Sequence, residues 1–428
     1  MALMAFNATR RPRTRTRGSI VAAVDLGTTK VVCFIARVGD EGHAQVVGIG
    51  HQASRGVRAG AIIELDAAEK TIALAVQAAE QMAGETVNEV LVNLSGGHPS
   101  SQSLSLEVPI GGREVTDNDL RRAARAFHGS VGADTDVIHA VPISYGLDDV
   151  RGVRDPRGMV GEALSIDLHL ITANSGVLRN LTGCVNRAHL EVDSVVLSPY
   201  ASGLACLVDD ERELGCTVID MGGGTTSIAV FIEGRLVFAD CLPVGGAHVT
   251  NDIARGLTTP VVHAERMKTL YGSALPSVAD DREIIDVPQV GEEEDSQPTH
   301  VPKSLLTGII QPRMEEIFEM VRSRLEVSGF DKAFGRRVVL TGGASQLQGA
   351  RELAQLVLDK QVRMGRPLGV DGLAEATAGP SFSTATGLLA YAISGPADLV
   401  GSGPGLEDAG ASRGGFFGRI GGWFRDNL

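Results

Sequence analysis

Two stretches of the sequence combine the residue types that bind phosphate. In each, an apolar run leads into an aspartate, then glycines and threonines, and then a second apolar run, at residues 24–35 and 218–231. Glycines let backbone N–H groups approach phosphate oxygens, threonine hydroxyls add donors, and an aspartate at a strand end can hold a hydrated Mg²⁺. The candidate residues are Asp25, Gly27, Thr28, Thr29 and Lys30 in the first stretch, and Asp220, Gly222, Gly223, Gly224, Thr225 and Thr226 in the second. We expect Asp25 and Asp220 to act on the metal through water.

The apolar runs on both sides of each motif are rich in β-branched residues, which predicts a β-hairpin with the glycines in its turn. A Rossmann or P-loop glycine motif would instead open a helix, so these two folds are disfavoured. One such hairpin by itself is compatible with an ordinary tight turn. Two hairpins with the same plan indicate an internal duplication, and hence two lobes that hold a nucleotide between them.

Two further glycine pairs are candidates to complete such a site. Gly245 and Gly246 precede a predicted helix, whose N-terminus can face anionic or ribose groups. Gly342 and Gly343 end the apolar run 338–341 before another predicted helix, where bare backbone can lie against a planar base. Neither pair is specific by itself, so both depend on the two hairpins for their interpretation.

The charge balance and the cysteines limit the function classes. The formal net charge of −13 and the lack of a basic stripe argue against nucleic-acid binding, because a phosphate backbone would be repelled. The five cysteines form no Cys-x-x-Cys pair and lie mostly in apolar runs, which indicates a reducing cytoplasm. No uninterrupted apolar stretch reaches the roughly 18–20 residues of a membrane span, so any membrane contact is expected to be peripheral.

Changes of pattern along the chain divide it into segments. After residue 96 the sequence switches to a strand–helix–strand pattern of its own, and the apolar alternation of Leu164 to Ile171 is expected to return the chain to the larger sheet. The segments expected are a disordered basic arm at 1–18, a first lobe at 19–96 and 166–209, an insertion at 97–165, a second lobe at 210–245 and 336–394, its upper subdomain at 246–335, a flexible linker at 395–412 and a helix at 413–428.

The C-terminal segment predicts an amphipathic helix. Five large apolar residues fall on one helical face and two arginines lie off it, which suits an anionic membrane surface. The other interpretation is a terminal helix docked on its own domain, which the linker makes unnecessary. The residues expected at the membrane are Phe416, Phe417, Ile420, Trp423, Phe424, Arg419 and Arg425.

Together these features resemble the superfamily of actin, heat-shock chaperones and sugar kinases. Within it, the chain from residue 19 onward is similar to the FtsA family of bacterial actin-like division proteins, in residues 94–98 (Leu-Ser-Gly-Gly-His), 155–159 (Asp-Pro-Arg-Gly-Met) and 338–344 and in the amphipathic C-terminus. The resemblance implies an α/β, two-lobed actin-like ATPase fold with an inserted subdomain. It also implies ATP and Mg²⁺ as cofactors, polymerisation, attachment of FtsZ filaments to the cytoplasmic face of the inner membrane at the division site, and recruitment of later division proteins through the insertion.

The resemblance also assigns roles to residues outside the two hairpins. Gly342 and Gly343 would lie against adenosine. Glu265 and Lys268 match a helix that brackets ribose and adenine in related chaperone ATPases, although an exposed i,i+3 ion pair explains them equally well. At residues 193 and 194 the chain has aspartate and serine where actin-like ATPases often have a glutamine, so at most slow ATP hydrolysis is expected.

The main alternative from another class is a sugar or acetate-type kinase on the same fold. Such an enzyme needs a catalytic aspartate and a polar substrate pocket in the cleft, and the sequence offers no convincing candidate for them. A pilus-assembly actin-like ATPase and a cell-shape actin relative are further alternatives. The former should lack the terminal amphipathic helix, and the latter should lack the insertion.

Overall fold

The computed structural model describes residues 17–39, 43–126, 132, 134–291, 298–330, 336–394 and 398. In chain order these residues form strands β1 (Ile20–Leu26), β2 (Lys30–Val38), β3 (Ala44–Ala53), β4 (Val57–Arg58), β5 (Ala61–Ile62), β6 (Glu89–Leu94), β7 (Ser100–Glu114), β8 (Thr135–Leu147), β9 (Val150–Val153), β10 (Val160–Asn174), β11 (Glu191–Leu197), β12 (Cys216–Met221), β13 (Thr226–Ile232), β14 (Arg235–Leu242), β15 (Ile284–Val287), β16 (Thr299–Pro302), β17 (Arg337–Thr341), β18 (Gln361–Met364) and β19 (Val370–Asp371). The α-helices are α1 (Leu65–Ala83), α2 (Asp117–Ala126), α3 (Ser175–Arg187), α4 (Ser198–Cys206), α5 (Asp209–Leu214), α6 (Gly246–Gly256), α7 (Val261–Tyr271), α8 (Lys303–Ser328), α9 (Ala350–Leu358) and α10 (Ser383–Ser394).

The first lobe is built on a six-stranded sheet in the order β11-β6-β1-β2-β3-β19. Strands β1, β2 and β3 form an antiparallel meander, and β6 and β11 run parallel to β1 on its other side. The apolar runs around the first motif are buried at nearly every position of β1 and β2, as in a sheet covered on both faces. The predicted hairpin at the first motif is confirmed.

The second lobe repeats this plan in a five-stranded sheet of order β14-β13-β12-β17-β18. Strands β12, β13 and β14 form an antiparallel meander, and β17 and β18 run parallel to β12. Strand β12 therefore occupies the position that β1 has in the first sheet. The predicted internal duplication is confirmed, and each glycine turn follows the equivalent strand of its own lobe.

The insertion is a four-stranded antiparallel sheet of order β7-β10-β8-β9 with helix α2, and it has its own apolar core. Strand β10 lies between β7 and β8, so the expectation that Leu164 to Ile171 returns the chain to the larger sheet is wrong. Apolar alternation shows only that one face of a strand is buried, and it does not identify the neighbouring strands. A deletion of residues 97–165 would leave half of β10 without its partners.

The segment expected in the second lobe at 336–394 crosses back into the first lobe before it ends. Strand β19 pairs with β3, and helix α10 packs with the core of the first sheet and against α4. The small residues of these two helices allow a close crossing, because a Cβ at Gly387 would overlap the backbone carbonyl of Ala201. Helices α4 and α10 therefore carry the chain between the lobes side by side.

The upper subdomain of the second lobe contains α6, α7, α8, β15 and β16. It shares with the second sheet an apolar core that is separate from that of the first lobe. All five cysteines are free thiols. None of the helices in the described ranges has the length and apolarity to cross a membrane. The basic arm up to residue 16, the linker apart from Asp398 and the predicted amphipathic helix lie outside the described residues.

Candidate functional site

The two glycine turns have the same backbone geometry. In the first, the N–H of Gly27 donates to the carbonyl of Lys30 at 3.0 Å, and in the second the N–H of Gly222 donates to the carbonyl of Thr225 at 2.8 Å. The aspartate of each motif is the penultimate residue of the strand that enters the turn. The shared motif therefore produces the same turn twice.

The structure brings the two turns into contact. A Cβ at Gly223 would overlap the methyl group of Thr29, and a Cβ at Gly224 would lie 2.5 Å from Thr28 Oγ1. Any side chain at these two glycines would push the turns apart, which is a reason for glycine beyond backbone conformation. The predicted residues of the two lobes thus form one site.

The Asp25 carboxylate is buried and held by an amide from a neighbouring strand. Asn93, on β6, donates from Nδ2 to Asp25 Oδ1 at 2.8 Å, and its Oδ1 accepts from the N–H of Leu26 at 2.6 Å. Burial raises the pKa of Asp25 to about 7; nearby Lys30 lowers it, and Asp220 raises it further. Asp25 is therefore a strong candidate for holding a cation.

The Asp220 carboxylate is equally buried but is held by hydroxyl groups. Ser202 on α4 and Thr384 on α10 donate to Asp220 Oδ2 at 2.6 Å and 3.0 Å. Burial raises the pKa of Asp220, and these hydrogen bonds and the charge of Lys30 oppose that increase. The two helices that cross between the lobes thus fix the second carboxylate.

Lys30 supplies positive charge next to both carboxylates. Burial lowers the pKa of its amine to about 8, and the charges of Asp25 and Asp220 raise it. The Nζ atom lies 3.5 Å from the centroid of the Phe382 ring, a cation–π contact that keeps the amine at the site. The ammonium group in this position can donate a further hydrogen bond to a phosphate oxygen.

The turn after β17 lies against the second carboxylate. Gly342 has a φ of 88°, and a Cβ there would overlap Asp220 Oδ1 and the carbonyl of Met221. At Gly343 a Cβ would meet only Ser381 Cβ, at 3.8 Å. Gly342 is therefore required by the close approach of the backbone, whereas Gly343 borders open space, as a residue against a ligand would.

Three predicted site residues have another role in the structure. The N–H groups of Gly246 and Ala247 donate to the carbonyls of Gly222 and Gly223 at 3.0 Å and 2.7 Å, and a Cβ at Gly245 would lie 2.5 Å from the Gly222 carbonyl. The hydroxyl of Thr226, which is fully buried, donates to the carbonyl of Val244 at 2.8 Å. These groups therefore hold the second turn in place, and contact of Gly245, Gly246 and Thr226 with a ligand stays a prediction.

Glu265 and Lys268 form the ion pair that their spacing allows, with Lys268 Nζ 2.7 Å from Glu265 Oε2. The same amine donates to Thr250 Oγ1 at 2.8 Å and to the carbonyl of Gly246 at 3.1 Å. Lys268 thus joins α7 to the start of α6, beside the second turn. A role of this pair in holding ribose stays a prediction.

Four residues of the site were not identified from the sequence. Asn93 gave a usable signal, because it is the one polar residue in the apolar stretch 90–94. The other three carry no local signal, since their roles depend on helices and turns that meet only in the folded chain: Ser202, Phe382 and Thr384. The predicted membrane residues, from Phe416 to Arg425, lie outside the described residues.

Family comparisons match both parts of this architecture. A family model described as cell division protein FtsA matches residues 217–387, and a model described as the SHS2 domain inserted in FtsA matches residues 96–172. The second match ends near the end of β10, in agreement with the sheet of the insertion.

Two solved structures with similar folds support the two-lobed architecture. The PilM-PilN type IV pilus biogenesis complex gives a TM-score of 0.62 at 16% identity, covering 87% of this chain and 98% of that one. MreB5 of Spiroplasma citri bound to ADP gives a TM-score of 0.50 at 14% identity, covering 88% and 96%. At these identities the likeness shows an actin-like fold alone, so the pilus-assembly alternative gains nothing from it.

Curated relatives cover nearly the whole chain. Cell division protein FtsA of Rhizobium meliloti (strain 1021) is 48% identical over 98% of this chain and 97% of its own length. Cell division protein FtsA of Escherichia coli (strain K12) is 34% identical over 87% of this chain and 90% of its own. A sugar or acetate-type kinase is therefore not favoured. The chain belongs to the FtsA family of actin-like bacterial cell division proteins.

Proposed function

We propose that this protein binds Mg²⁺-ATP between its lobes and uses the bound state to polymerise and to hold FtsZ filaments at the cytoplasmic membrane. The observation that supports the nucleotide site is the meeting of the two glycine turns, with Lys30 interacting with both buried carboxylates. The charge of Asp220 acts on Asp25, and one lysine does not balance two buried carboxylates, so a further cation is expected. A magnesium nucleotide fits that requirement.

Each candidate residue has a distinct role in the proposed site. Lys30 and the hydroxyls of Thr28 and Thr29 would bind phosphate oxygens together with the N–H groups of both turns. Asp25 and Asp220 would hold Mg²⁺ through water, and the metal would neutralise the charge between phosphates and carboxylates. In the described part of the chain, no group of three or more His, Cys, Asp or Glu side chains converges, so the metal would depend on the nucleotide and water for its remaining ligands.

The adenosine would lie against Gly343, whose Cβ direction is open, with Glu265 and Lys268 near the ribose. MreB5, whose fold is similar, has been solved bound to ADP. Hydrolysis is expected to be slow at most, because an aspartate at residue 193 replaces the expected glutamine. The nucleotide would then serve mainly to fix the relative position of the lobes for self-association.

Family membership supports partners in the division machinery. We propose FtsZ as the direct partner, later division proteins as partners of the insertion, and the anionic inner membrane at the division site as the partner of the C-terminal helix. Each basic residue near an anionic membrane contributes about 1 kcal/mol, so one helix with two arginines binds weakly. A polymer that presents many copies would bind far more tightly through effective concentration.

Co-sedimentation with anionic liposomes and FtsZ, with and without Mg²⁺-ATP, tests this proposal. We expect the full chain to bring FtsZ to the pellet, and to do so more strongly with ATP. Trp423→Glu places a charge on the apolar face of the predicted helix, where desolvation is costly, and should abolish pelleting with liposomes. Ser412→Glu adds the same charge in the linker and should pellet like the parent. Equal pelleting of both variants would contradict the membrane role of the helix, and a lack of FtsZ in every pellet would contradict the partner.

A further inference from the structure

Asp398 lies four residues beyond the end of α10, and its carboxylate is buried in the body of the protein. Three donors surround it. His139 Nδ1 lies 2.6 Å and the Tyr391 hydroxyl 3.0 Å from Oδ2, and the N–H of Ala140 donates to Oδ1 at 3.0 Å. Two of these donors belong to β8 of the insertion, so a residue of the predicted linker is a hydrogen-bonding partner of the insertion.

The His139 ring connects this carboxylate to the first lobe. Its Nε2 accepts a hydrogen bond from the N–H of Leu197 at 2.9 Å, so that nitrogen carries no proton and Nδ1 is the donor to Asp398. Leu197 ends β11 and directly precedes α4. Removing the carboxylate would leave Nδ1–H and the Ala140 N–H without a partner in a buried place.

Aromatic rings enclose the cluster. The His139 ring lies edge-on to Tyr200 of α4 and to Tyr391 of α10, with centroids 5.1 Å and 5.9 Å away, and Tyr200 lies 6.0 Å from Phe231 of the second sheet. Burial and the nearby Asp398 carboxylate raise the pKa of Tyr391, which keeps its hydroxyl a donor. The carboxylate is therefore placed where the insertion, the first lobe and both crossing helices meet.

The insertion also contacts the second lobe, through hydrogen bonds to β14 that do not involve Asp398. Ser101 Oγ bonds the carbonyl and the N–H of Ala239 on β14 at 2.6 Å and 2.9 Å, and Arg235 donates to the Pro142 carbonyl at 2.9 Å. These contacts do not include any residue beyond α10. The insertion thus has one interface with each lobe, and Asp398 belongs to the interface with the first lobe.

We propose that Asp398 acts as a clasp: its hydrogen bonds to β8 and α10 hold the insertion on the first lobe. The start of the predicted linker is then a structural part of the insertion's interface. Shortening the chain before Asp398 would then disturb the insertion, whereas shortening it after Asp398 would not. A second consequence rests on the proposed membrane role of the last residues. Residues 399–412 span at most roughly 50 Å when fully extended, so the membrane helix would keep the insertion within that distance of the bilayer.

Hydrogen exchange of the full chain in solution, without membranes, tests the clasp. In Asp398→Ala, peptides covering residues 135–141 of β8 should exchange about tenfold faster or more, because the Ala140 N–H loses its acceptor and the His139 contact is lost. Peptides at Ser101 and in β17 should keep the exchange rates of the parent. Asp371→Ala removes an exposed aspartate from β19 and is the matched control, which should leave all these rates unchanged.

Tyr391→Phe keeps the ring and removes one of the three donors, so it decides the question if Asp398→Ala does not fold. It should accelerate the same β8 peptides by a smaller factor. Unchanged β8 exchange in a folded Asp398→Ala protein, or an equal acceleration of β8 and β17 in Tyr391→Phe, would overturn the clasp. Liposome co-sedimentation of the parent is a separate readout: failure to pellet contradicts the membrane role and the 50 Å reach, while the exchange result still decides the clasp.

Discussion

The two glycine hairpins share a backbone turn but differ in how their carboxylates are supported. Asp25 depends on one amide, from Asn93, and lies beside Lys30. Asp220 receives two hydroxyl donors. The second turn is also held by the first N–H groups of α6, and the turn after β17 lies against it at Gly342.

This difference shows what a duplication preserves. The strand–turn–strand unit needs only local residues, so both copies keep it. The support of each carboxylate comes from elements elsewhere in the chain, and these differ between the lobes. We infer that the second turn is the rigid half of the site, while the first turn supplies the lysine and the exposed Thr29.

The largest expected effect concerns the charge of Asp25 in the nucleotide-free protein. Its pKa is raised from 3.8 to about 7, so between these values the folded state holds a proton that the unfolded state has lost. Stability contributed by this group therefore falls as the pH rises from about 4 to about 7, by at most about 4 kcal/mol. Asp25→Asn should lack this fall. Urea unfolding of both proteins across the range measures it, and parallel pH curves would contradict the assignment.

The next effect separates the two glycines of the turn after β17. Gly342→Ala places a Cβ at a positive φ and against Asp220, and should lower the free energy of unfolding by about 3 kcal/mol. Gly343→Ala enters open space and should change it by less than about 0.5 kcal/mol. Chemical denaturation of both variants is the measurement. Equal losses would mean that the two glycines do not differ as described.

A smaller effect compares the supports of the two carboxylates. Asn93→Ala removes the donor to Asp25 and the acceptor of the Leu26 N–H, and should cost about 2 kcal/mol of unfolding free energy. Ser202→Ala removes one of two hydroxyls on Asp220 and should cost about 1 kcal/mol, since Thr384 remains. The reverse order would show that the hydroxyl pair, rather than the amide, is the critical support.

The parts of the fold that local patterns determine were predictable. Apolar runs broken by glycines predicted both hairpins and their duplication, and the change of pattern after residue 96 predicted the insertion. The pairing of β10 inside the insertion and the return of α10 to the first lobe were not, because they depend on which distant strand or helix is adjacent. The apolar pattern of a strand is the same in either sheet.

The site shows the same division. The residues of both turns came from the sequence, whereas the roles of Asn93, Phe382 and Asp398 depend on contacts between remote segments. The structural roles of Gly245, Gly246 and Thr226 were missed for a related reason. Their polar groups are used by the second turn, which no local pattern could reveal.

Titration calorimetry of Mg²⁺-ATP against the parent, Gly343→Ala and Gly343→Glu tests the nucleotide site most directly. The open space at Gly343 lets the fold accept either side chain, so the unfolding free energies should stay close to the parent value. We expect the parent to bind, Gly343→Ala to bind within a few-fold of it, and Gly343→Glu to lose at least about 100-fold in affinity, because a carboxylate would face the bound nucleotide. A folded Gly343→Glu protein with parental affinity would contradict the site between the lobes.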